Sequence, residues 1–216
     1  MSSYSEGQTH QLMERLEAEE FTPAEVTKLG QFNNLAGFKS VLNGTAKIKP
    51  VSEDATRVIT INETTIVVNL AATPKLPFNG AELEKHIGDG WAIVEKRTDG
   101  LYVNGRKVVL DLVKRQKNGK WLKGHELREE LTDKPVLNAN LLDAVADNPH
   151  LIPEDWKKDE DGNTRFIFFW ATIYRDSIGN LYVRCLYFLV GGWQRIYDWL
   201  GNDWRGNLTG AVLASN

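Results

Sequence analysis

The first fifty residues have the spacing of short amphipathic helices. Leucine and methionine recur at helical intervals over residues 12–16, ahead of an acidic run. Residues 22–25, Thr-Pro-Ala-Glu, are typical of a helix start, because threonine caps, proline fits the first position and glutamate satisfies a backbone donor. A further helix is predicted over residues 35–42. The pattern therefore predicts a small helical N-terminal segment over residues 1–50.

Alternation of β-branched and polar residues predicts strands in the middle of the chain. Residues 58–70 are rich in Val, Ile and Thr, with a break near Asn62-Glu63. Pro74 and Pro77 mark a turn, so residues 51–80 are interpreted as a strand and linker. Further strands are predicted over residues 91–97 and 108–113.

Three helices are predicted between or after these strands. The first covers residues 81–87 and ends at Gly88. The second covers residues 124–131. The third covers residues 141–146, with Asn138 or Asn140 as its cap.

The last third of the chain predicts mostly strands. Residues 166–174 and 181–187 form two apolar runs, joined by a segment with the Gly-Asn chemistry of a hairpin turn. Beyond Val190 the regular alternation fades, and residues 211–213 predict a short closing strand. The order of elements predicts an α+β fold.

Composition narrows the function classes. The chain has 216 residues and a formal net charge of -3, which disfavours a strongly basic nucleic-acid binder, so no nucleic-acid partner is expected. Cys185 is the single cysteine, which excludes an internal disulfide and a cysteine-based zinc site. The polar N-terminus lacks the apolar core of a signal peptide, and no apolar run is long enough to span a membrane. Localisation is left open, with a cytoplasmic protein as the default.

No catalytic constellation is recognisable. The chain lacks a phosphate-binding glycine loop, a His-Glu-x-x-His motif and a nucleophile elbow. Its four histidines are scattered without metal-ligand spacing, and Cys185 is interpreted as an inert core thiol. We therefore expect no enzyme activity, no catalytic residue, no metal and no cofactor.

Lysine, glutamate and aromatic residues are distributed unevenly along the chain. All Lys and Glu residues precede Arg165, whereas 12 of the 21 aromatic residues follow it. Buried tryptophans in a compact core would explain the aromatics alone. Binding surfaces are rich in aromatics and depleted in Lys and Glu, so they would explain both observations.

Stretches spread over nearly the whole chain carry a resemblance to a known family: residues 21–23, 35–42, 116–120, 135–140, 170–177, 181–187, 193, 199–200, 204 and 211–215. On these stretches the chain resembles a family of hypothetical proteins from uncultured candidate-phylum bacteria. The tail of this family looks like the variable region of a target protein of a diversity-generating retroelement. In such systems a reverse transcriptase copies a template with errors at adenines, and the copy overwrites the 3′ end of the target gene.

The resemblance implies a fold. Proteins of this class are similar to C-type lectin folds of the formylglycine-generating-enzyme type, with a small mixed sheet and two helices. It implies a C-type lectin-like domain over residues 81–216, with a variable region at about 186–210. The chain would then be a ligand-binding variable protein that displays hypervariable residues on a rigid scaffold.

A codon rule suggests which residues vary. Template codons AAY, mutated at adenines, become NNY, which cannot encode Trp, Lys, Glu, Gln or Met. Trp193, Gln194, Trp199 and Trp204 break that rule and would be fixed framework. The candidate ligand-binding residues are Phe188, Leu189, Val190, Gly191, Arg195, Ile196, Tyr197, Asp198, Gly201, Asn202, Asp203, Arg205, Gly206, Asn207 and Leu208; of these, Tyr197 obeys the rule but could also be framework.

Alternatives stay open at this point. The partner would be an unknown protein or glycan, and the oligomeric state is not specified. A carbohydrate-binding lectin, calcium-dependent or not, is one alternative, although the chain lacks a Glu-Pro-Asn type motif. A DNA-binding regulator acting through residues 9–44 is another. An enzyme of the formylglycine-generating type is disfavoured, because that activity looks dependent on paired cysteines and this chain has one cysteine.

Overall fold

The computed structural model describes residues 5–30, 39, 43, 57–119 and 121–215. Two compact units are distinguished, residues 1–50 and 51–216. The α+β class is confirmed, and so is the N-terminal helical segment. The ten-stranded sheet of the described chain is larger than the small sheet that the resemblance implied.

The N-terminal unit contains α1 (Glu6–Ala18) and α2 (Pro23–Gly30). Ser5 caps α1 by accepting a hydrogen bond from the Gln8 amide. The predicted start of α2 is confirmed, since the Glu25 carboxylate accepts from the Thr22 amide at 2.8 Å. The predicted helix over 35–42 lies almost wholly outside the described residues, and so does much of the segment in the DNA-binding alternative.

The second unit is built on strands, which in chain order are β1 (Val58–Asn62), β2 (Thr65–Asn69), β3 (Glu82–His86), β4 (Trp91–Arg97), β5 (Gly100–Val103), β6 (Arg106–Asp111), β7 (Leu122–Lys123), β8 (Phe166–Arg175), β9 (Leu181–Leu189), β10 (Gly192–Trp199), β11 (Asp203–Trp204) and β12 (Leu208–Leu213). Its helices are α3 (Lys114–Lys117), α4 (Gly124–Glu130) and α5 (Ala139–Asp147). Asn138 caps α5, which confirms one of its two predicted caps. Two short 3-10 turns follow, at Pro149–Leu151 and Glu154–Trp156.

Most described strands belong to one sheet in the order β1-β2-β4-β5-β6-β12-β8-β9-β10, with β3 paired to β8. Among the described strands, β12 and β8 form the one parallel pair. The small pair β7-β11 stands apart from this sheet. The last strand in sequence therefore lies between two earlier ones, and β10 ends one side of the sheet.

The predicted helix over residues 81–87 is wrong. Residues Glu82–His86 form β3, which pairs antiparallel with β8. His86 shows why the sheet prevails over helix propensity: its Nε2 donates to the Leu70 carbonyl at 2.9 Å, and its Nδ1 accepts from the Thr172 hydroxyl at 2.8 Å. These tertiary bonds require an extended segment at this place.

Two hydrophobic clusters lie on opposite faces of the β8-β9 region. On one face α5 packs Leu141 and Leu142 against Ile167, Phe169 and Leu186. The other face carries a second cluster that includes Phe168, Trp170, Cys185, Leu200 and Trp204. The strands that hold the candidate region are therefore supported from both sides. None of the described helices has the length and apolar character needed to cross a membrane.

Gly124, the first residue of α4, allows a close approach of the segment 200–204. A Cβ atom built there would lie 2.6 Å from Trp204 Nε1 and 2.7 Å from Leu200 Cα. We expect Gly124→Ala to lower the free energy of unfolding by about 1–3 kcal/mol, because backbone atoms must move. Urea denaturation followed by tryptophan fluorescence measures this change.

Gly206→Ala is the matched control. Its Cβ would meet no heavy atom within 4 Å, so the change in unfolding free energy should stay within about 0.5 kcal/mol. Equal destabilisation of both variants would contradict this account of Gly124.

Candidate binding surface

The candidate region begins with a tight hairpin. Strands β9 and β10 pair from Leu189↔Gly192 to Tyr182↔Trp199, and Val190-Gly191 form the turn. Gly191 has φ +104°, a conformation that side chains rarely adopt. The turn therefore favours glycine at position 191, although that position belongs to the candidate set.

Strand alternation divides the β10 candidates between two faces. Arg195 and Tyr197 lie on the face covered by α5, where Arg195 reaches that helix. Ile196 and Asp198 pair with Cys185 and Val183, which belong to the opposite hydrophobic cluster. The structure thus brings the β10 candidates to one edge, but it presents them in two directions.

A buried ion pair fixes the face covered by α5. Arg184 of β9 donates to both carboxylate oxygens of Asp143 at 2.8 and 2.7 Å. Both side chains are largely buried, with exposed fractions of 8% and 13%. Burial alone would lower the pKa of Arg184, but the hydrogen bonds to Asp143 outweigh it and raise that pKa. This bidentate pair ties α5 to the strand that carries the hairpin.

Arg195 makes a second, more exposed set of contacts between β10 and α5. Its Nε lies 3.3 Å from Asp143 Oδ1, its Nη2 donates to the Asp143 carbonyl at 3.2 Å, and it pairs with Asp147. The Asp147 side chain is 57% exposed. Replacing Arg195 would therefore leave the buried Arg184–Asp143 pair complete.

Aromatic rings extend this face towards the segment 75–78. The ring of Phe78 lies 4.8 Å from that of Tyr197 and 5.2 Å from that of Tyr182, measured between centroids. An open groove of about 590 Å³ follows, lined by Leu76, Pro77, Arg184, Arg195, Ile196 and Tyr197. Its walls combine apolar side chains with two guanidinium groups, which are paired with Asp143 and Asp147.

The hairpin tip is apolar. Phe188 packs edge-to-face on Trp193 with centroids 5.4 Å apart, and Lys157 Nζ lies 4.3 Å from the Phe188 centroid. Leu189 and Val190 beyond them are 51% and 99% exposed. Exposed apolar side chains on an anchored turn are typical of contact surfaces.

The segment after β10 is anchored by buried residues and exposes the rest. Leu200 and Trp204 are fully buried, and β11 pairs with β7. Between them, Asn202 donates to the Asp198 carboxylate at 2.6 Å, and Asp203 forms an ion pair with Lys123 at 2.9 Å. The backbone is thus fixed while the intervening side chains face outward.

Residues 205–208 border a second cavity. The amide of Gln116 donates to the carbonyls of Arg205 and Leu208 at 3.0 Å each, which fixes the backbone of this turn. The Arg205 guanidinium stacks over Trp121, 4.7 Å from the ring centroid. The cavity has a volume of about 710 Å³, and Arg205, Gly206 and Asn207 contribute to its wall.

None of the fifteen candidate residues is fully buried. Phe188, Asp198, Gly201, Asn207 and Leu208 are half-buried, and the following are exposed: Leu189, Val190, Gly191, Arg195, Ile196, Tyr197, Asn202, Asp203, Arg205 and Gly206. The glycines differ, since a Cβ at Gly201 would strike the ring of Trp199, whereas one at Gly206 meets open space. Gly206 is therefore the glycine at which a side chain is accommodated most easily.

The residues expected to be framework are placed unevenly. Trp204 is buried and Trp193 packs against the cluster under α5, as framework residues should. Trp199 is 41% exposed, although its ring covers Gly201. Gln194 is exposed as well.

Sequence reasoning missed several residues of this surface. Arg184 carried a usable signal, because it is the one charge within the strand Leu181–Leu189, whereas Asp143 shares its helix with Asp147 and did not stand out. Phe78 and Trp121 carried none, since they lie far from the tail in sequence and only the fold brings them near.

Potential metal ligands are dispersed in the described part of the chain. No three His, Cys, Asp or Glu residues there gather in a way that could hold a metal ion. Burial raises the pKa of the Cys185 thiol well above its ordinary value, which leaves the sulfur protonated and unreactive. Comparison with family models, curated proteins and solved structures found no match.

The buried ion pair makes a stability prediction. Asp143→Ala leaves Arg184 buried without its carboxylate, so we expect a loss of about 3–5 kcal/mol in the free energy of unfolding. Asp147→Ala, one turn later on α5, removes only an exposed partner and should cost about 0–1 kcal/mol. Urea denaturation of both variants measures the difference, and equal losses would show that the buried pair does not anchor the helix.

The buried hydroxyl of Tyr174, next to the groove, leads us to expect that the free energy of unfolding falls at alkaline pH. Tyr174 is fully buried, its hydroxyl donates to the Lys75 carbonyl at 3.0 Å, and burial raises its pKa to about 12. Because an unfolded tyrosine titrates near pH 10, the stabilising effect of the protonated hydroxyl is complete below about pH 10 and is lost as the pH approaches 12.

Tyr174→Phe should therefore flatten the decline in stability over this alkaline range. The measurement is the unfolding free energy at several pH values, with Tyr187→Phe, a half-buried tyrosine that stacks on Phe166, as the control. A decline of unchanged slope in Tyr174→Phe would contradict the assignment.

Proposed function

We propose that this chain is a ligand-binding protein whose recognition surface comprises the β9-β10 hairpin and the segment 201–208. The observation that carries the proposal is the separation of anchored backbone from outward side chains. Leu200, Trp204 and Gln116 fix this segment from beneath, while ten of the fifteen candidate residues are exposed and none is fully buried. A binding surface that varies in sequence needs this separation, because surface substitutions cost far less than core substitutions.

The composition of the tail supports the same proposal. Lys and Glu, the usual solubilising residues, are absent from Arg165 onward, including the exposed positions of β10. Burial explains their absence in β8, where eight consecutive residues are buried. It does not explain their absence in β10, which is mostly exposed. Depletion at exposed positions is a property of interfaces.

We propose that a diversity-generating retroelement rewrites the gene segment that encodes this surface, and that the scaffold is a C-type lectin-like domain. Support comes from the resemblance of residues 170–215 and from the codon rule, with Trp204 and Trp193 placed as structural residues. The ligand would be a protein or a glycan, since the surface offers exposed aromatic, aliphatic and cationic groups.

A library experiment tests the surface. NNY codons are placed at the exposed non-glycine candidates in one displayed library, and at positions 183, 185, 186, 200 and 204, which are buried, in a matched library. We expect most members of the first library to resist trypsin like the parent and most members of the second to be cleaved, because core changes of this kind cost about 2–5 kcal/mol.

Selection then tests binding. Panning the first library against an immobilised unrelated protein should enrich clones whose changes cluster at the exposed candidates. Loss of protease resistance to the same extent in both libraries would overturn the surface assignment. A near-copy of the 3′ end of the gene beside a reverse-transcriptase gene, differing only opposite template adenines, is the expected genomic result; finding neither would overturn the retroelement.

A further inference from the structure

The outer edge of β10 carries unpaired main-chain groups. Leu200 N–H donates to the Leu181 carbonyl at 2.8 Å. With the continuous register of β9 and β10, this bond means that even-numbered residues of β10 face β9. The N–H and C=O groups of Trp193, Arg195 and Tyr197 therefore point away from the sheet. No hydrogen bond within the described residues reaches these groups.

The free edge has a defined end. The Trp199 amide donates to the Asp198 carboxylate at 2.8 Å, and its carbonyl accepts from Asn202 N–H at 3.0 Å. The unpaired groups thus form a short row at two-residue spacing, between the turn at Gly191 and Trp199. Such a row of alternating donors and acceptors is complementary to another extended chain.

β10 has few of the features that usually protect an edge strand, which are charged side chains, proline and bulges. It has neither lysine nor proline, and its eight residues pair with β9 without a register shift. Its two charged residues, Arg195 and Asp198, are bonded within the chain to Asp147 and to Asn202. By contrast β1, at the other end of the sheet, has a shift between Thr60 and Asn62. Exposed Ile196 and Tyr197 add apolar area to the unprotected edge.

We infer that β10 is a dimerisation edge: it pairs antiparallel with β10 of a second copy of this chain, about a two-fold axis at Arg195. In this register each free N–H and C=O group of Trp193, Arg195 and Tyr197 finds a partner. Trp193 lies opposite the partner's Tyr197, an aromatic cross-strand pair of the stabilising kind. The two sheets become continuous.

The charges near the axis are balanced in this register. The axis brings two Arg195 side chains together, but each is paired with the exposed Asp147 of its own α5 and lies beside Asp143, which also binds Arg184. Four carboxylates and four guanidinium groups therefore gather at the junction, and the cluster carries no net charge. A register centred on Ile196 would set Trp193 opposite the partner's Trp199, whose main-chain groups are already bonded.

Pairing through the main chain is compatible with the proposed variable surface but does not depend on it. Side chains at positions 195–198 project from the two faces of the sheet rather than along the edge. Any residue except proline leaves the N–H groups in place. Dimerisation would therefore survive most changes of ligand specificity, and its test is separate from any ligand.

Cysteine cross-linking tests the axis. In the full chain, Arg195→Cys places two thiols opposite each other at a Cα separation of about 5.5 Å, within the range that a disulfide spans. Cys185 is fully buried and does not interfere. We expect a covalent dimer under mild oxidation on a non-reducing gel. Val190→Cys, at the 99% exposed turn residue, is the matched control. On the same non-reducing gel it should run largely as a monomer, because its thiols lie away from the axis.

Sedimentation of the unmodified chain gives the second readout, with an expected mass twice that of the 216-residue chain. Tyr197→Pro removes an outward N–H that β9 does not use and should yield a monomer, whereas Tyr197→Phe should remain a dimer. Near-UV circular dichroism checks that each variant folds. A monomeric unmodified chain, or equal cross-linking of the two cysteine variants, would overturn the inference.

Discussion

The bidentate bond between Arg184 and Asp143 is the interaction on which the rest of this architecture depends. It joins α5 to β9 at the border of the hydrophobic cluster under α5, with Arg195 as the next cation outward. Both buried charges are therefore stabilised only when helix and strand are correctly aligned. The pair thereby sets the height of α5 over the hairpin, the position of Arg195 and the shape of the groove beside Tyr197. An apolar pair of similar size would fill the space without specifying this alignment.

Different groups of this molecule fix the backbone and form the exposed surface. Buried side chains and main-chain bonds from Gln116 hold the segment 200–208, and the sheet holds the hairpin. The outward side chains that touch other elements do so near the surface: Arg195 contacts α5, Asp203 pairs with Lys123 and Arg205 stacks on Trp121. The two faces of β10 offer different chemistry, aromatic and cationic on the α5 side and aliphatic and acidic on the other. One strand can therefore serve two directions of contact.

The sequence predicted the elements with strong local patterns and missed those that depend on distant partners. The apolar runs of β8 and β9, and the capped helix α5, followed from periodicity and a cap at Asn138. β3 was missed because its charged sequence becomes extended only by pairing with β8. β10 was missed because its apolar residues lie on both faces, which removes the alternation that identifies a half-buried strand. The composition of the tail located the candidate surface, but Phe78 and Asp143 entered it only through the fold.

The central position of β12 has a consequence for synthesis. This strand follows the candidate variable segment in sequence, yet it lies between β6 and β8 in the sheet. A nascent chain that stops or changes reading frame before Leu208 leaves β6 and β8 without the strand that joins them, and their edges exposed. Such a chain would be a substrate for proteases. The topology thus makes the central pairing of the sheet depend on translation through Leu213.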